Sequence, residues 1–254
     1  MLLNCHFYSP VLLRDTEIHV ILPTPMEEGA PVPQDVPVLY LLHGLTDGAS
    51  GWLRYSNIER YARVAGMAVV MPGVHNSFYQ DMAHGERFFT YLTRELPAFI
   101  QGLFPVSRKR EKTFIAGLSM GGYGAWLAAL RCPELYGAAA SFSGVVDIGF
   151  RVSEKPVPPG LALPDLMESC FGDFSRVAHS DRDLIHLYEK SAGRDLPRLY
   201  QSCGTADYLY EMNKNTHRAL ADLGAPITWR EIPGKAHEWD CWDSEIRYLL
   251  EHWL

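Results

Sequence analysis

The sequence predicts an α/β fold with a mostly parallel central sheet flanked by helices, and three features point there. Short β-rich runs alternate along the chain with segments long enough for helices. The central runs at 36–42, 67–71 and 112–116 are apolar almost throughout, as strands covered on both faces must be. The segments between them carry the helical period instead.

In chain order, strands are expected at 16–22, 36–42, 67–71, 112–116, 138–142, 197–202 and 226–232. A helix is expected over 88–104, where Phe88, Leu92, Leu96, Phe99, Ile100 and Leu103 share one face and Pro97 introduces a kink. The alanine-rich segment 123–131 stops short of Pro133, because the residue before a proline disfavours the helical conformation. Segment 208–223 ends at Gly224, a natural helix terminator, and 238–253 forms a last helix. One stretch breaks the rhythm. Residues 144–190 hold Pro156, Pro158, Pro159 and Pro164, and read as a small cap inserted into a single domain spanning 1–254.

Composition excludes several classes of function. Hydrophobic residues at 47% and charged residues at 21% describe an ordinary globular chain of 254 residues. A net charge of −7 repels a polyanion, so nucleic acid is not an expected partner. No apolar run approaches the ~18 residues a spanning helix needs, and no membrane partner is expected. The first residues lack the basic start and small-residue cleavage site of an export signal. Five scattered cysteines, Cys5, Cys132, Cys170, Cys203 and Cys241, form no C-x-x-C pair and read as reduced thiols. Together these give a cytoplasmic expectation. A homo-oligomer is compatible with all of them.

The strongest motif is Gly117-Leu118-Ser119-Met120-Gly121, which fits G-x-S-x-G and lies between an expected strand and an expected helix. A sharp turn there strains the serine backbone and requires glycine two residues to either side. The same glycines could belong to a plain turn whose serine caps the helix, but the strand-turn-helix context favours a nucleophile. A phosphate-binding loop is excluded, since the lysine and the glycine spacing it needs are missing.

A serine hydroxyl needs a base, and in α/β-hydrolases the acid and then the histidine follow the serine in sequence. Of the histidines after Ser119, His217 and His252 fall in expected helices. His179 and His186, with Asp183 between them, could suggest a metal, but they sit in the insertion without a third strong ligand, and no metal is expected. His237 lies in a loop between the last strand and the last helix, and is the expected base. Asp207 follows the strand 197–202 and is the expected acid; it could also cap the next helix, and Asp173 in the insertion is its rival. The oxyanion donors are expected at the Met120 amide, next to the nucleophile, and at the Leu45 amide, in the loop His43-Gly44-Leu45 after a strand. Trp52 and Trp239 each follow one of these loops and are the expected pocket walls.

The motifs HGLTDGASGW, EKTFIAGLSMGGYGA, CGTADYLY and AHEWDCW resemble the esterase D-like esterases, and among them the bacterial tributyrin esterases. The resemblance covers nearly the whole chain. It implies an α/β-hydrolase fold, hydrolysis of short-chain carboxylic esters without a cofactor, and the same five positions: Ser119, Asp207, His237, Leu45 and Met120. S-formylglutathione hydrolases and feruloyl or acetyl esterases share that superfamily. The first usually carry histidines where this chain has Leu118 and Tyr123 and a cysteine where it has Asp47.

Overall fold

The computed structural model describes residues 1–25, 27–148 and 163–254. Eight strands are present: β1 (Leu2–Ser9), β2 (Arg14–Ile21), β3 (Val38–Leu42), β4 (Ala68–Pro72), β5 (Thr113–Leu118), β6 (Ala138–Phe142), β7 (Arg198–Gly204) and β8 (Ile227–Ile232). They form one sheet in the order β1-β2-β4-β3-β5-β6-β7-β8. β2 runs antiparallel to both its neighbours, and every pairing from β4 to β8 is parallel.

All seven expected strands are present, within a few residues at their ends. β1 is additional. Its Leu3, Cys5 and Phe7 face inward and alternate with exposed neighbours, the period of a strand covered on one face only. Phe7 stacks on Phe99 with ring centroids 3.9 Å apart.

Two apolar clusters lie on opposite faces of the sheet. Val38, Tyr40 and Leu42 of β3 enter one, and Leu39 and Leu41 enter the other. The alternation follows from the pleat, and it explains why this strand is uniformly apolar.

Nine helices among the described residues carry these faces. α1 (Gly51–Tyr55) and α2 (Ile58–Ala65) follow β3. The expected 88–104 helix comprises α3 (Phe88–Thr90), a π-helical turn at Tyr91–Glu95, and α4 (Leu96–Leu103). Pro97 sits at the start of α4, just after the wide turn. The wider spacing accommodates a ring that would otherwise collide with the preceding turn. α5 (Met120–Arg131) packs on β5 and β6, and starts three residues before the alanine-rich segment. α6 (Leu163–Phe171) and α7 (Leu184–Lys190) belong to the expected insertion, of which residues 149–162 lie outside the described residues. α8 (Tyr210–Asp222) leads to β8, and α9 (Trp239–Tyr248) ends in a π-helical turn at Leu249–Trp253. No helix among the described residues is long and apolar enough to cross a membrane.

From β3 the chain crosses to β4 on one side, while β5 returns on the other side of β3. The crevice at the carboxyl ends of β3 and β5 is therefore a topological switch point, where α/β sheets place their ligands. α5 approaches β3 closely there. A Cβ on Gly121 would lie 2.6 Å from the Leu42 carbonyl oxygen and 2.7 Å from that of His43, and one on Gly117 would lie 2.4 Å from Gly121.

Those contacts are with backbone atoms, which cannot swing aside. Gly121→Ala is expected to lower unfolding stability by about 2 kcal/mol or more, the range for overpacking a core. Gly102, at an open site on α4, is the control. Gly102→Ala is expected to raise stability by about 0.5 kcal/mol, and urea denaturation of both variants checks the contrast.

Candidate active site

Ser119 follows β5 directly, with φ 51° and ψ −115°, a conformation few side-chain-bearing residues adopt. The surroundings hold it there. Its amide donates to the Phe142 carbonyl at 2.9 Å, and its own carbonyl accepts from the amides of Gly122, Tyr123 and Val145 at 3.0–3.2 Å. The hydroxyl is thereby presented at the carboxyl edge of the sheet, with the residue 7% exposed.

His237 and Asp207 arrive from two further loops at the same edge. Gly204 lets these loops touch, since a Cβ there would lie 2.1 Å from the Lys235 carbonyl oxygen, and the Ala206 amide donates to that same oxygen at 2.9 Å. His237 Nε2 lies 3.1 Å from Ser119 Oγ, and His237 Nδ1 lies 2.9 Å from Asp207 Oδ2. A carboxylate only accepts, so Nδ1 carries the proton and Nε2 is left to accept from the serine hydroxyl. Such an arrangement can remove a proton from a hydroxyl as it attacks. The rings of Tyr208 and Trp242 enclose the imidazole, with centroids 4.6 Å and 4.8 Å away.

Asp207 is buried, and burial alone would raise its pKa. The hydrogen bond and charge of His237, the Leu209 amide at 2.8 Å and the Ser143 hydroxyl together outweigh that and hold it below the ordinary value. The cap role considered from sequence is not filled: Leu209 stands at the N-cap of α8, which has no side-chain cap bond, and Asp207 Oδ1 accepts from the Leu209 amide just before that helix while Oδ2 faces the imidazole. Ser143, at φ 48° just beyond β6, also accepts from the Trp242 indole N–H at 3.2 Å. Sequence reasoning missed Ser143 and Trp242. The available signal for Ser143 was its place at the carboxyl end of a strand beside the elbow. The rival Asp173 lies in the insertion, where it accepts from the amide and hydroxyl of Ser175.

On the other side of Ser119, the loop after β3 comes so close that a Cβ on Gly44 would lie 3.5 Å from Ser119 Cβ and 2.5 Å from Leu118 Cδ1. Leu45 follows directly, and its amide and that of Met120 donate to no acceptor among the described residues. His43 is buried beneath this loop. Its Nδ1–H donates to the Gly44 carbonyl at 2.8 Å, and its Nε2 accepts from the Val74 amide at 3.2 Å. Both ring nitrogens being engaged this way requires the neutral form, and burial lowers its pKa to about 4.

The two tryptophans differ in role. Trp239 is half-buried and keeps an accessible face, whereas Trp52 is fully buried, with its indole N–H donating to the Leu42 carbonyl at 3.0 Å. Trp52 therefore supports Trp239 from beneath, with ring centroids 5.2 Å apart, and has no surface left to line a pocket itself. Of the histidines weighed for a metal, His179 and His186 sit edge to face at 5.8 Å, but both carboxylate oxygens of Asp183 are held by backbone amides. No cluster of three or more metal-ligating side chains occurs among the described residues.

The family model described as "Putative esterase" matches residues 9–247. The chain belongs to this esterase family. The esterase is 31% identical to an acetyl esterase of Caldicellulosiruptor saccharolyticus, over all of this chain and 97% of that one. Among solved structures it resembles a fluorophosphonate-binding serine hydrolase of Staphylococcus aureus in its substrate-bound form, at 30% identity and a TM-score of 0.89, covering 98% of this chain and 96% of that one. An S-formylglutathione hydrolase of Staphylococcus aureus matches at 30% identity and a TM-score of 0.85, covering 98% and 97%. The esterase has the α/β-hydrolase fold.

The neutral state of His43 carries a pH signature. With the folded value near 4 and the unfolded value at 6.5, its contribution is complete above about pH 6.5 and is lost as the pH falls toward 4. The loss amounts to roughly 3 kcal/mol across that window. His43→Gln, which cannot titrate, is expected to show a shallower fall in stability than wild type between pH 7 and pH 4.5, measured by chemical denaturation.

Proposed function

We propose that this esterase is a serine carboxylesterase that hydrolyses short-chain acyl esters through an acyl-enzyme. One observation carries the reading: an unbroken hydrogen-bonded line from Ser119 through His237 to the buried Asp207, at 3.1 Å and 2.9 Å. Ser119 attacks the ester carbonyl while His237 takes its proton, and His237 returns that proton to the departing alcohol. Asp207 holds the imidazole tautomer and supports its positive charge without being protonated. Water, deprotonated by His237, then releases the acid. The Leu45 and Met120 amides receive the developing oxyanion. No cofactor takes part in any of these steps.

Trp239 stands as one wall of the acyl or alcohol site. The insertion is assigned as a cap, because its Phe171 packs on Phe78 and Tyr123 with centroids 5.7 Å and 6.4 Å away, and the Tyr123 hydroxyl donates to the Arg182 carbonyl at 2.7 Å. The likeness to an acetyl esterase supports a short acyl group. Five free cysteines, three of them buried, support a reducing compartment such as the cytoplasm.

The likeness to an S-formylglutathione hydrolase favours a second reading, a thioester as substrate. Asp47 weighs against it. Its half-buried carboxyl lies beside Gly44 at the edge of the oxyanion loop, where it would meet an anionic leaving group with like charge.

Ser119→Ala is expected to lower turnover of p-nitrophenyl acetate by about 10⁴-fold or more, and retained activity would refute the assignment. Asp207→Asn is expected to cost about 10⁴-fold, while Asp173→Asn leaves turnover near wild type; the reverse pattern would move the acid into the insertion. In a series of p-nitrophenyl esters run beside S-formylglutathione and methyl ferulate, kcat/KM is expected to be highest for acetate or butyrate. A maximum at S-formylglutathione would establish the thioester reading.

A further inference from the structure

The loop at residues 73–80, between β4 and α3, takes no part in the proposed chemistry, yet it is the most strained segment near it. His75, Phe78 and Tyr79 all have positive φ, at 52°, 50° and 56°, without being glycine. Ser77, Phe78, Tyr79 and Gln80 are at most 3% exposed. A buried pair of adjacent left-handed residues such as Phe78 and Tyr79 persists only where its surroundings over-determine it, and such strain clusters at functional sites.

Its contacts reach both chain segments that carry the amides assigned to the oxyanion. On the Leu45 side, the Tyr79 hydroxyl donates to the His43 carbonyl at 2.9 Å. The Asn76 Oδ1 accepts from the Thr46 amide at 2.8 Å, and the Val74 amide donates to His43 Nε2 at 3.2 Å. The backbone is therefore gripped on both sides of Leu45, at residues 43 and 46. On the Met120 side, the Phe78 amide donates to Met120 Sδ at 3.4 Å. The Tyr79 ring rests on α5 where Gly124 leaves room for it; a Cβ there would lie 2.4 Å from the ring. Gln80 Nε2 ties the loop to the Phe78 carbonyl and to the Tyr123 hydroxyl. The Cys170 thiol of α6 donates to the Asn76 carbonyl at 3.4 Å, so the same loop also meets the insertion.

We propose that this loop is the clamp that sets the spacing of the Leu45 and Met120 amides, with the Tyr79 hydroxyl and the Asn76 carboxamide as positioning residues. The inference rests on the ester-hydrolase reading above. Oxyanion donors stabilise a transition state only when they are fixed before the charge develops. A loop bound to two different chain segments can fix their separation, which neither segment can do alone. Removing the Tyr79 hydroxyl frees the His43 carbonyl and lets Leu45 drift, leaving the imidazole and carboxylate untouched.

The test uses the full chain with p-nitrophenyl acetate. Tyr79→Phe is expected to lower kcat about tenfold, a fraction of the 10²–10³ lost when a donor is removed outright. Its KM stays within about twofold of wild type, and the acid limb of its pH profile does not move. Asn76→Ala is expected to show a smaller loss of the same kind, about threefold. Affinity for a trifluoromethyl ketone, which forms a tetrahedral oxyanion on Ser119, should fall in parallel with kcat/KM. A folded Tyr79→Phe whose kcat stays within twofold of wild type, or whose loss lies in KM alone, overturns the proposal. Should Tyr79→Phe fail to fold, Asn76→Ala decides: kcat indistinguishable from wild type overturns it. Ser119→Ala is run alongside to separate the two failures. Activity retained there overturns the ester-hydrolase reading, whereas an inactive Ser119→Ala beside fully active clamp variants overturns the clamp alone.

Discussion

A single backbone conformation, the left-handed turn at Ser119, constrains much of what surrounds it. To point a hydroxyl out of the carboxyl end of a buried strand, the chain must reverse into a helix within one residue. That brings α5 against β3 and β5 so closely that Gly117 and Gly121 tolerate no Cβ. The strain is held by hydrogen bonds from three amides to the Ser119 carbonyl and one from its own amide to β6. Interactions this numerous hold the Ser119 backbone in that conformation and keep its Cβ aimed at the crevice.

The electrostatic arrangement depends on the same placement. Asp207 lies in surroundings that disfavour its charge, and it stays ionised because donors converge on it from three elements: His237, the Leu209 amide and the Ser143 hydroxyl. A buried carboxylate with its acceptor sites occupied holds the facing imidazole in one tautomer, and that tautomer leaves Nε2 toward Ser119. His43, on the opposite side, shows the converse. Burial and the Val74 amide donating to its Nε2 keep it neutral against the pull of the Gly44 carbonyl, and it serves the shape of a loop.

The parts legible in the sequence were those with a local cause. Strands β3 to β5 announced themselves because burial on both faces leaves no room for polar side chains, and the elbow did so because its turn geometry demands glycine at two positions. His237 and Asp207 were legible through their position after strand ends. β1 escaped notice because its alternation is weak, with cysteine among the inward residues and Leu2 and Tyr8 exposed. The Trp242–Ser143 and Tyr79–His43 hydrogen bonds were not read from the sequence, since each joins residues dozens of positions apart. Trp52 illustrates the same limit: its place after an expected oxyanion loop suggested a wall, and packing made it a buried support.

The sequence by itself determined the alternation of strand and helix, the family motifs, and the residue types able to act as nucleophile, acid and base, because periodicity and turn chemistry are properties of neighbouring residues. Only the tertiary structure decided that Ser119, His237 and Asp207 meet within hydrogen-bonding distance, and that the loops bearing Leu45 and Tyr79 interlock above them. Those are contacts between segments from 30 to 118 residues apart, and such separations are closed by sheet order and packing, which no local pattern encodes.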